Sequence, residues 1–105
     1  MMVLSEERTV VSVFPSADFA VKINGDSMSP IFCDGDMVYF TSASSVVNGE
    51  IAAIICDEEV VVRRVYDQED YTCLCATNPQ YMPMRIPSED LRIVGKVVGL
   101  TRTFA

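Results

Sequence analysis

Asn24-Gly25-Asp26-Ser27-Met28-Ser29-Pro30-Ile31-Phe32-Cys33-Asp34-Gly35-Asp36 carries chain-reversal signals at its start, middle and end. Asn-Gly tolerates the positive φ of a tight turn, Pro30 interrupts regular structure, and Asp34-Gly35 turns the chain again. On either side stand Phe19-Ala20-Val21-Lys22-Ile23 and Met37-Val38-Tyr39-Phe40, short apolar runs rich in strand-forming residues. The pattern predicts two strands, Phe19–Ile23 and Gly35–Thr41, gripping an irregular and partly exposed turn that presents Ser27.

Outward from this turn the chain continues in strand-length pieces. Asn48-Gly49 marks a second tight turn into Glu50–Cys56, whose near-continuous apolar run predicts a strand covered on both faces. Asp57-Glu58 reverses the chain into Glu59–Tyr66, where Glu59, Val61, Arg63 and Val65 share one face and Val60, Val62 and Arg64 the other. Asp67-Gln68-Glu69-Asp70 is an acidic turn, Tyr71–Ala76 a further strand, Asn78–Met84 a Pro-interrupted extended piece, and Ile93–Leu100 the last strand. Before the serine turn, Thr9–Phe14 reads as an edge strand ended by Pro15, after the polar piece Ser5–Arg8. No long amphipathic helix, repeat or low-complexity segment interrupts this all-strand pattern.

With 105 residues, half of them hydrophobic, the chain holds one small domain with one core. Its net charge of −7 is opposite in sign to what a phosphate backbone requires, so this stretch is not itself a DNA-binding surface. The four cysteines, Cys33, Cys56, Cys73 and Cys75, lack Cys-x-x-Cys spacing and the density of a disulfide scaffold; they read as free thiols in a reducing cytoplasm. No metal site and no cofactor is expected. No run approaches the roughly 20 apolar residues of a membrane span.

A serine hydroxyl becomes a nucleophile when a neighbour takes its proton. Histidine is absent from the chain, which excludes a Ser-His-Asp triad and leaves a serine paired with a neutral lysine. Only two lysines exist, Lys22 and Lys96. Lys22, flanked by Val21 and Ile23, reads as an outward-facing strand residue and a substitute base at most.

Gly25-Asp26-Ser27-Met28, Pro30 and Asp34-Gly35-Asp36 together resemble the nucleophile segment of the LexA-like self-cleaving serine peptidase family, which includes the C-terminal domains of LexA, phage repressors of the lambda type and UmuD, with signal peptidases more distant. The likeness continues through Asn48-Gly49-Glu50-Ile51, Glu59–Val65, Asn78-Pro79-Gln80-Tyr81 and Val94–Gly99, from about Ala20 to Arg102. It implies a mainly β fold, a compact LexA/signal-peptidase-like sheet of antiparallel hairpins, partly barrel-like, with little helix. It implies residues 1–17 as a remnant of a linker or N-terminal arm and residues 18–105 as the peptidase and dimerisation domain. In that family Ser27 matches the nucleophile, backbone N–H groups near Met28 an oxyanion site, and Pro79 and Tyr81 the substrate cleft.

The general base of the family is a lysine in a Val-Lys-Arg context, and the matching residues are Val62-Arg63-Arg64, so Arg63 stands in the lysine's place. A guanidinium stays protonated and cannot serve as a base. Arg63 can instead hold the serine by a hydrogen bond or pair with an acid, giving a binding site in place of a catalytic one. The resemblance therefore implies a repressor domain that dimerises with impaired self-cleavage. Its alternatives are an active peptidase of the SOS type and a UmuD-like polymerase accessory protein. Partners implied are a second copy of the chain, its own linker as substrate, an activated recombinase filament as co-protease, and DNA only through a missing N-terminal domain, the chain being either an excised domain or a stand-alone relative. The Ala-Gly or Cys-Gly dipeptide cleaved in the family is not found in the sequence.

Overall fold

The computed structural model describes residues 2–4, 10–12 and 16–102. Met2–Leu4 (β1) and Val10–Ser12 (β2) pair antiparallel in a two-stranded ribbon of their own. β2 falls within the strand expected over Thr9–Phe14, whereas Ser5–Arg8 and Pro15 lie outside the described residues.

The main sheet has seven strands: Phe19–Lys22 (β3), Met37–Ser42 (β4), Ile51–Cys56 (β5), Glu59–Asp67 (β6), Tyr71–Cys75 (β7), Met84–Pro87 (β8) and Leu91–Thr101 (β9). Their spatial order is β3-β4-β9-β5-β6-β7-β8, and every neighbouring pair is antiparallel. A single 3₁₀ turn, Ser88–Asp90, is the only helical element among the described residues, so the mainly β reading with little helix holds. None of it is long and apolar enough to cross a membrane.

The β5–β6 hairpin shows how local chemistry sets register. Cys56 pairs with Glu59 and Ile51 with Arg64, leaving Asp57 and Glu58 as the turn, with φ of 52° and 65°. Positive φ at both central residues is the primed turn that matches strand twist, and it favours Asp-Gly over Asp-Glu. Glu58→Gly is therefore expected to stabilise the domain by about 0.5–1 kcal/mol, because glycine adopts this conformation without steric strain. Urea unfolding monitored by circular dichroism reads the shift, and a variant less stable than the parent would contradict it.

β9 differs from its sequence expectation. It runs from Leu91 rather than Ile93 and, although last in the chain, lies in the middle of the sheet between β4 and β5. Two bulges bend it. Val98 is the extra residue opposite Tyr39/Phe40, and Val94 the extra residue opposite Ala53/Ile54. Each bulge raises local twist, and together they curl the sheet into a half-barrel. Between them lies Gly95, where a Cβ would sit 2.5 Å from the Phe19 ring and 2.9 Å from the Phe40 Cβ. Glycine thus lets β9 pass against the stacked Phe19–Phe40 pair, whose ring centroids are 5.3 Å apart. β8, flanked by Pro83 and ending in Pro87, carries no strand signal in sequence; prolines are tolerated there because it is an edge strand.

Apolar side chains fill both faces. One core joins Met28, Phe32, Val38, Phe40, Ala53 and Val62, and the other joins Ala52, Ile54, Val65 and Leu74. The alternation of Ala52 and Ile54 with Ile51 and Ala53 puts β5 in both cores, which is why its sequence is apolar throughout. The first core lies directly beneath the serine turn.

Candidate functional site

The Ser27 turn is closed at its neck by two backbone hydrogen bonds of 2.8 Å, from Ile23 N to Asp36 O and from Gly35 N to Ile23 O. Gly25 and Gly35 have φ of 89° and 88°, a region that favours glycine. The Gly25 N–H donates to Asp34 Oδ1 at 2.7 Å, stapling the two limbs together. At the base, Asp36 is 1% exposed. It accepts the Cys33 N–H at 2.8 Å and receives a bidentate grip from Arg102, Nε to Oδ1 at 2.8 Å and Nη2 to Oδ2 at 2.7 Å. The Arg102 guanidinium holds the Asp36 carboxyl below the usual carboxylate range. Arg102 follows β9 directly, so the exit of that strand is tied to the foot of the serine turn.

A second clamp comes from the segment after β7. Asn78 donates its backbone N–H to Ser27 O at 3.0 Å and its side-chain Nδ2 to Asp26 O at 3.1 Å. The Tyr81 hydroxyl donates to Asp26 Oδ1 at 2.6 Å, and this hydrogen bond raises the phenol's pKa. Met28, 1% exposed, plugs into the core below and accepts a weak hydrogen bond from Thr77 Oγ1 at 3.8 Å. Ser27 is thereby held from both limbs of its turn and from below. Its hydroxyl, its own N–H and the Met28 N–H have no hydrogen-bond partner among the described residues.

Across from the turn lies β6. It pairs with β5 along most of its length but with β7 only from Arg64 to Asp67, so Val60–Arg63 keep one edge bare among the described strands. That edge and the turn enclose a cleft of about 190 Å³, with Val21, Lys22, Ile23, Asn24, Ser27 and Met28 on one side and Val60–Arg63 on the other. The structure thus brings Ser27, Met28 and Arg63 into one cleft. Pro79 and Tyr81 do not line it; Pro79 is exposed, and Tyr81 braces the turn through Asp26.

Arg63 is half-buried, and its Nη1 donates to the carbonyl of Val62 at 2.8 Å. Burial lowers its pKa, opposed only by the Tyr81 phenol, yet a guanidinium so shifted is still a cation at neutral pH. Arg64 points away and donates to Gly49 O. Of the two lysines, Lys96 is paired with Glu50 at 2.8 Å, while Lys22 is exposed and lines the cleft. No group of three or more His, Cys, Asp or Glu side chains is placed to hold a metal among the described residues, and all four cysteines are free.

Asn78 and Asp26 carry much of this geometry and were not singled out as site residues in the sequence. Asn78–Met84 reads in sequence as a Pro-interrupted extended piece, and nothing local to it names Ser27 as the partner of Asn78.

The chain matches the Peptidase S24-like family over residues 3–98. It is 32% identical over 87 residues to a LexA repressor of Thermosipho melanesiensis, covering 82% of this chain and 44% of that protein. Against LexA repressors of Arthrobacter sp. and Clostridium tetani it is 38% identical over 86 residues and 36% over 87, covering 81% and 82% of this chain and 34% and 42% of theirs. The chain therefore spans less than half the length of the curated relatives it matches. A serine on a doubly clamped turn, facing an open strand edge within this sheet, belongs with that match: the chain is a member of the Peptidase S24-like family, with a LexA-like peptidase fold.

Proposed function

We propose that this chain is the peptidase-fold domain of a LexA-type transcriptional regulator, in which Ser27 is the nucleophile, Arg63 occupies the general-base position, and self-cleavage is consequently impaired. The observation that carries the reading is that Ser27 and Arg63 line the same cleft from opposite sides. The unused N–H groups of Ser27 and Met28 supply oxyanion donors, and the bare edge of β6 accepts an extended linker as an added strand. What the cleft lacks is a base at the position that faces Ser27 from β6, since Arg63 stays protonated there.

Residues 18–105 form the functional unit and residues 1–17 an arm leading into it. The net charge of −7 gives this stretch nothing to hold a phosphate backbone, so DNA contact is assigned to a domain outside this chain. A recombinase filament as co-protease applies to a cleaving form.

The test is incubation of the domain with a peptide containing Ala-Gly between about pH 7 and pH 10, with Ser27→Ala as control. No Ser27-dependent cleavage is expected. Ser27-dependent cleavage would contradict the reading and favour an active peptidase, for which Lys22, lining the cleft, is the available base. Its loss in Lys22→Met would establish that role.

The domain also assembles as a homodimer. Among the described strands, Val97–Thr101 of β9 have no partner on the side where β5 pairs the earlier half of the strand, and Val98 within that stretch is 38% exposed. Sedimentation velocity at micromolar concentration is expected to show dimer. Monomer throughout the micromolar range would sink this assignment.

A further inference from the structure

We propose that the cleft between Ser27 and Arg63 is a receptor for the C-terminal carboxylate of an extended peptide. This deepens the reading of the site as a non-cleaving peptidase cleft and rests on it.

The first argument is charge. The chain has 15 acidic and 8 basic residues, so acids to pair with are in excess. Arg102 and Lys96 have carboxylate partners; Arg63 and Lys22, which share the cleft, have none among the described residues, nor do Arg64, which donates to Gly49 O, Arg85, which lies over the Tyr71 ring, and the exposed Arg92. Arg63 is half-buried and spends a single N–H on its neighbour's carbonyl. A partly desolvated cation without a counter-charge is costly, and the cost is recovered when an anion arrives. The guanidinium's planar fork fits a carboxylate in two parallel hydrogen bonds.

The second argument is hydrogen bonding. The Ser27 N–H, the Met28 N–H and the Ser27 hydroxyl are donors without acceptors among the described residues, and Ser27 and Met28 line the cleft together with Arg63. A set of donors facing a cation selects a ligand rich in acceptors.

The third is the shape of the edge. A strand added along Val60–Arg63 gains backbone hydrogen bonds and meets apolar Val21, Ile23 and Val60. It cannot run past Arg63, because from Arg64 onward that edge is taken by β7, with Arg64 opposite Cys75. An added strand running in this direction therefore ends beside Arg63, and its terminal carboxylate falls where the unpaired donors are. At about 190 Å³ the cleft is below the ~300–1,000 Å³ of small-molecule and cofactor sites, which suits a peptide end.

The test uses the unaltered domain and fluorescein-labelled Lys-Val-Thr-Val-Ala-Val-Ala as the free acid, as the C-terminal amide, and as an amide with Asp in the penultimate position, read by fluorescence anisotropy at constant ionic strength. The free acid is expected to bind at least about tenfold more tightly than the plain amide, the size of a charge-assisted hydrogen bond. That preference should vanish in Arg63→Gln, with its thermal transition checked against the parent, and shrink in Ser27→Ala. Equal binding of acid and amide, a preference that survives Arg63→Gln, or no binding by any of the three would overturn the proposal. Binding of the Asp-containing amide as tightly as the free acid would also overturn it, since the site would then read a side chain. Failure here leaves the peptidase-fold reading standing if Arg63→Lys cleaves an Ala-Gly peptide. Conversely, acid preference with an inert Arg63→Lys would keep the receptor and remove Arg63 from the base position.

Discussion

Arg102→Ala is expected to cost about 3 kcal/mol at neutral pH, because it strands a buried carboxylate. The Asp36 side chain is 2% exposed and that of Arg102 38%, so the arginine finds water when its partner is removed but the aspartate does not. The Cys33 N–H remains as a donor to Asp36, which holds the loss below the upper end of the range for broken buried pairs. Replacing both residues, Asp36→Leu with Arg102→Met, should recover much of the stability, since apolar isosteres leave no orphaned charge.

The pH dependence separates this mechanism from simple loss of packing. In the parent, the Asp36 carboxyl has a folded pKa below its unfolded value, so its contribution is complete above the ordinary carboxylate pKa near ~3.9 and is lost as pH falls through the lower folded value. In Arg102→Ala the buried carboxylate has no cation, its folded pKa rises above the unfolded one, and protonation relieves the penalty. The gap between parent and variant should therefore be widest near neutrality and narrow below about pH 4. Urea unfolding at several pH values measures it, and a gap independent of pH would contradict the assignment.

Arg63→Lys is expected to give the domain Ser27-dependent cleavage of an Ala-Gly peptide, with a gain of roughly 10²–10⁴, the contribution of a positioned general base. Arg63 is half-buried, and burial already lowers the pKa of its guanidinium. The same surroundings lower the pKa of an ammonium, which, unlike a guanidinium, can give up its proton in water. Since the base must be neutral to act, the rate should climb as pH rises through the lysine pKa and level above it. Chromatographic analysis of the peptide reads the profile. A folded Arg63→Lys variant that remains inert up to about pH 10 would count against Arg63 as the base position.

Much of this arrangement was legible in the sequence because it is local. Asn24-Gly25 and Asp34-Gly35 announce the serine turn, Asp57-Glu58 the hairpin that fixes the register of Arg63, and the apolar run of β5 its burial in two cores. What was hidden is non-local. The Asp36–Arg102 pair joins residues 66 positions apart, and neither aspartate nor arginine carries a local sign of its partner. The clamp of Asn78 and Tyr81 on the serine turn is of the same kind, and it gives Tyr81 a bracing contact through Asp26. The central place of β9 depends on two bulges and on Gly95 fitting under Phe19 and Phe40, all of which follow from how neighbours in space are packed. Resemblance led to the expectation of Ser27 and Arg63 in one cleft, which spacing alone could not supply.

The most direct test of an intact nucleophile site lacking only its base is intact-mass measurement after exposure to a serine-directed fluorophosphonate, with the parent, Ser27→Ala, Arg63→Lys and Arg63→Lys/Ser27→Ala treated in parallel at about pH 9. It reads the reactivity of Ser27 without requiring peptide recognition. The expected result is a single adduct on Arg63→Lys alone. Equal labelling of the parent, abolished by Ser27→Ala in that background, would show that Ser27 already has a base, and would contradict the account.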